Sequence, residues 1–68
     1  MDALEKELES RRESIKKEVR FLFNANMKFT GWDVPEVDEE RASKLLLKIM
    51  REALEDIEKE IKNGEKDA

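Results

Sequence analysis

The sequence predicts an all-α protein: an antiparallel two-helix hairpin that dimerises into a four-helix bundle. Three observations carry that expectation. Gly and Pro together occupy only three of the 68 positions. Apolar residues recur at three- and four-residue spacing through two long segments, and no stretch alternates as a half-buried strand does. Residues 1–68 read as one helical-hairpin domain. A chain this short buries only about 60% of its unfolded surface, and its core supplies roughly 3–5 kcal/mol. With no cysteine or histidine, neither a disulfide nor a structural zinc site can reinforce it. Oligomerisation is the reinforcement left.

The first helix is expected over about 2–26. Leu4, Leu8, Ile15, Val19 and Leu22 keep helical spacing. Glu7 and Glu13 stand four residues before Arg11 and Lys17, the favourable order for such pairs. Asp2 with Glu5 has the form of a capping box. Asn24-Ala25-Asn26, and later Thr30-Gly31, supply residues that accept left-handed backbone angles. An aromatic-rich turn over about 27–36 should follow.

The second helix is expected over about 37–63. Leu47, Met50, Leu54, Ile57 and Ile61 follow the spacing of a heptad seam. Ala42, Leu45, Leu46, Ile49 and Ala53 widen its apolar face. Its start has two readings, a capping box of Asp33 with Glu36 around Pro35 or the acids that follow. Because Pro35 disfavours helical angles at Val34, a start between Pro35 and Asp38 is favoured. Asp38, Glu39 and Glu40 suit a helix N-terminus, where the dipole favours acids. Asn63-Gly64 reads as the stop, with residues 64–68 a frayed tail.

Antiparallel pairing would set Leu4 and Leu8 against Ile57 and Ile61, with Ile15 near Met50 and Leu54. Near the bend a surplus remains. Phe21-Leu22-Phe23 and Leu45-Leu46-Leu47 are consecutive, and three successive helical positions span about 200° of surface. One neighbouring helix cannot cover both triplets. The expected interface is therefore Phe21, Leu22, Phe23, Met27, Phe29, Trp32, Leu45, Leu46, Ile49 and Met50, shared with a second copy. Self-association through these faces is the leading functional expectation. The alternative is a small binder that docks Phe29 and Trp32 onto another protein, since aromatic residues are enriched at interface hot spots.

Chemistry is sparsely provided for. Without His or Cys, a Ser nucleophile would need Lys or a carboxylate as base, and Ser10, Ser14 and Ser43 lie among surface charges. No enzymatic activity and no cofactor are expected. Glu36, Asp38, Glu39 and Glu40 lack the alternating donors and central Gly of a calcium loop, so no metal is expected either. Residues 11–20 form the one basic run, with Arg11, Arg12, Lys16, Lys17 and Arg20. Phosphate contacts need no sequence code, which makes nucleic acid a further alternative. Glu13 and Glu18 interrupt the run, and the net charge of −4 opposes such a partner. Arg11 and Arg12 also interrupt the apolar stripe between Leu8 and Ile15, where one of them could fix register by pairing with Glu55 or Asp56.

No apolar run approaches a membrane span of about eighteen residues, and the N-terminus lacks a signal peptide's apolar stretch. A soluble, cytoplasmic protein with no membrane partner is expected. The charge-rich helices, clear caps and missing Cys, His and Tyr suit a thermostable or an engineered chain.

Overall fold

The structure is a computed structural model that describes residues 2–67. All three of its regular elements are helices: α1 (Ala3–Ser10), α2 (Arg12–Asp33) and α3 (Glu39–Asp67). The helix expected over 2–26 is thus two helices, and its second part runs well past its expected end.

Asp2 caps α1, its carboxylate accepting the Glu5 N–H at 2.8 Å. Side-chain hydrogen bonds accompany the break that ends α1. Ser10 Oγ donates to the Glu7 carbonyl at 2.7 Å, the acceptor that the Arg11 N–H would use in a continuous helix. The Arg11 N–H turns instead to the Leu8 carbonyl at 3.1 Å, and Arg11 sits at φ −104°, ψ 0°. Ser43 makes the same kind of bond to the Glu40 carbonyl at 2.8 Å inside an unbroken α3, so such a bond weakens a helix without by itself ending it. The ladder resumes when the Ile15 N–H reaches the Arg11 carbonyl at 2.9 Å. Glu9 and Arg12 span the break, with Arg12 Nε donating to both carboxylate oxygens at 2.9 Å.

The expected turn over 27–36 is helical as far as Asp33. Asn26 and Thr30 do not stop the helix. Asn26 Nδ2 donates to the Leu22 carbonyl at 2.8 Å and Thr30 Oγ1 to the Asn26 carbonyl at 2.9 Å, so each is satisfied one turn back. Among the described residues no glycine has positive φ. Pro35 is the real terminator. It holds Val34 at φ −126°, ψ 88°, the extended geometry that a following proline imposes. Five residues, Val34 to Asp38, then connect α2 to α3. Asp38 caps α3, accepting the Arg41 N–H at 3.2 Å.

The stop expected at Asn63-Gly64 is overridden as well, because α3 continues to Asp67. A helical glycine costs about 1 kcal/mol relative to alanine, which weakens the ladder without breaking it. Of the expected tail 64–68, Ala68 lies outside the described residues.

The molecule is open. Its Cα radius of gyration is 16.4 Å, where a compact chain of this length has about 11 Å. Its extents are 48 × 30 × 15 Å, whereas two helices lying side by side would measure only about 15 Å across their Cα atoms. Near the connector α2 packs on α3, and α1 adjoins α2 alone. Among the described residues no Cα of α1 comes within 8 Å of α3. The expected pairing of Leu4 and Leu8 with Ile57 and Ile61 is therefore absent.

Candidate functional site

Successive helical residues are 100° apart, and on that basis the aromatic and aliphatic residues of α2 divide among three aspects. Phe23, Met27 and Thr30 form the first. They are half-buried, as are Val37, Ala42, Leu46 and Met50 opposite them. These residues make the contact between α2 and α3. No described side chain is fully buried, even here.

The second aspect lies about 100° round from Phe23. Ile15, Leu22 and Phe29 stand seven residues apart on it, the repeat of a coiled-coil seam. All three are exposed. On α3, Leu45 and Ile49 flank the half-buried Leu46 and are exposed too. A shallow groove lined by Asn26, Thr30, Val34, Leu45, Leu46 and Ile49 joins the two helices on this side.

Phe21 and Trp32 form the third aspect, about 160° and 180° from Phe23. They are 72% and 71% exposed, so α3 covers neither. Phe29 meets Trp32 edge to face, with ring centroids 5.5 Å apart and planes at 78°. The residues expected to form one interface thus separate. Phe23, Met27, Leu46 and Met50 pack within the chain. Leu22, Phe29, Leu45 and Ile49 share one open face, and Phe21 and Trp32 point away from it.

Arg11 and Arg12 do not meet Glu55 or Asp56. The Arg12 guanidinium lies 2.8 Å from Glu9 Oε2, and the α1–α2 junction stands away from α3. Its hydrogen bond holds the Glu9 carboxyl below the usual carboxylate range, against a smaller opposing effect of desolvation. The same bond raises the pKa of Arg12. The only other ion pair among the described residues is Glu40–Lys44 at 3.2 Å, along one face of α3. No three Asp or Glu side chains converge on a metal position among the described residues. No helix there is long and apolar enough to cross a membrane.

The structure shows open apolar surface that periodicity alone had placed inside a hairpin. Leu4 and Leu8 on α1, and Leu54, Ile57 and Ile61 on α3, are all more than half exposed. The signal for α1 was Ser10 beside the interruption at Arg11 and Arg12, where a hydroxyl can compete for a helix carbonyl. Fold and surface together define a small all-helical chain with exposed apolar helix faces. Comparison with protein-family models, with curated proteins and with solved structures found no match to this chain.

Proposed function

We propose that this chain is a non-enzymatic helical interaction module that self-associates. In this reading α2 and α3 act as an antiparallel hairpin, and two hairpins pair through Leu22, Phe29, Leu45 and Ile49 as a four-helix bundle. One observation carries it. The accessible surface is 6528 Å², whereas a folded monomer of this mass has roughly 4,450 Å². The excess, about 2,000 Å² per chain and so about 4,000 Å² for a pair, falls in the range of total surface that obligate homodimers bury. Fifteen large apolar side chains are at least 40% exposed, and exposed apolar surface is what association covers.

Light scattering or sedimentation equilibrium at micromolar concentration tests the reading. A mass of twice 8.0 kDa is expected, with Leu22→Glu/Ile49→Glu shifting the protein toward monomer. A parent chain that is folded and monomeric under those conditions would refute it.

A second reading rests on the third aspect of α2. Phe29 and Trp32 support each other, and Trp32 stands off the bundle-facing side, as the anchor of a binder for another protein would. Nucleic acid is the least favoured partner, because the net charge is −4 and Glu9 already engages Arg12.

A further inference from the structure

A second groove opens between the legs of the molecule, away from the connector. Its floor is Ile15, Val19, Phe23, Leu47 and Met50, and Lys16 and Arg20 form its rim. It is apolar below and basic above. Beyond Met50, α3 carries the complement. Leu54, Ile57 and Ile61 continue the heptad seam and are 61%, 51% and 57% exposed.

The charges match as well. Residues 11–20 hold five basic side chains against two acidic ones, net +3. Residues 52–60 hold five acidic against one basic, net −4. Among the described residues no ion pair joins these two stretches, so within one chain the complementary segments are left apart.

Resting on the self-association reading, but with the legs open rather than closed as a hairpin, we propose that the occupant of this groove is α3 of a second copy. Residues 52–61 of one chain lie between the legs of the other, with Leu54, Ile57 and Ile61 on the apolar floor and the acids beside Lys16 and Arg20. A two-fold axis makes the exchange reciprocal, so each chain both gives and receives an arm and the assembly closes as a dimer. No Cα of α1 comes within 8 Å of α3 among the described residues, so α1 does not cover the groove. The exchange supplies a partner for the half of α3 that its own chain leaves bare.

The test uses two full-length variants. One carries Lys16→Glu, Lys17→Glu and Arg20→Glu, which takes residues 11–20 from +3 to −3. The other carries Asp56→Lys, Glu58→Lys and Glu60→Lys, which takes residues 52–60 from −4 to +2. Alone, each places like charges against its own second copy, and self-association should weaken at least about tenfold. Mixed in equal amounts, both pairings become attractive again, and native mass spectrometry should show a heterodimer at the parent's affinity. Two variants that each dimerise as the parent does overturn the exchange while leaving self-association intact. Two weakened variants that fail to rescue each other overturn it too, and circular dichroism confirms that both remain helical. A parent that is itself monomeric overturns the proposed function instead.

Discussion

Ser10 stands at the break between α1 and α2. Its hydroxyl bonds the Glu7 carbonyl while the Arg11 N–H bonds the Leu8 carbonyl. Ser10→Ala returns that carbonyl to the backbone. Higher helicity by circular dichroism is the expected outcome, with α1 and α2 merging into one helix. Glu9 and Arg12 bridge the same place, and their contribution depends on pH. Because the folded-state pKa of Glu9 is lowered, the bond is fully present above the ordinary glutamate value of about 4.3. It is lost as pH falls through the lower folded value. An acid titration of helicity should show a modest step there, modest because the pair is exposed, and Arg12→Gln should remove the step. The interruption at Arg11 and Arg12 was plain in the sequence. Its consequence was not, since spacing rules do not say which donor takes a carbonyl.

At the scale of elements, helical periodicity identified both long apolar segments. The cap at Asp2 could be read from its capping box, whereas Asp38 was only one of several acids near the start of the second helix. The ends were harder to read. Asn26, Thr30 and Gly31 look like turn residues, yet short polar side chains can also bond one turn back, and Asn26 and Thr30 do so. Only Pro35 combines a missing N–H with a steric veto on its predecessor, so it outranked the others. Gly31 now sits inside a helix without positive φ, and a Cβ added there meets nothing within 4 Å. Gly31→Ala should therefore stabilise α2 by about 0.5–1 kcal/mol, measurable as a raised thermal midpoint. A fall in the midpoint would mean that another chain packs closely against this glycine.

For the whole molecule, the surplus of apolar residues near the connector was legible from the two triplets alone. The larger surplus at the open end was not, because pairing by register assumes that the legs stay together. The open shape also separates the two readings of the aromatics. Trp32 lies on the far side of α2 from α3, so a dimer formed on the Leu22–Ile49 face leaves it wet. Its fluorescence should stay water-like across the concentration range in which the mass doubles. A blue shift that accompanies association would place Trp32 inside the homomeric contact and favour a different face.

That no described side chain is fully buried has a thermodynamic consequence. Hydration of newly exposed apolar groups gives unfolding its heat-capacity change and its cooperativity. A solitary chain with so little to expose should melt gradually, as a helical peptide does. Under the self-association proposed above, sharp melting would belong to the assembled form alone, at a temperature set by how much protein is present. Dilution would then act on this molecule as a denaturant does, and abundance would decide whether a protease meets a folded protein or a loose pair of helices.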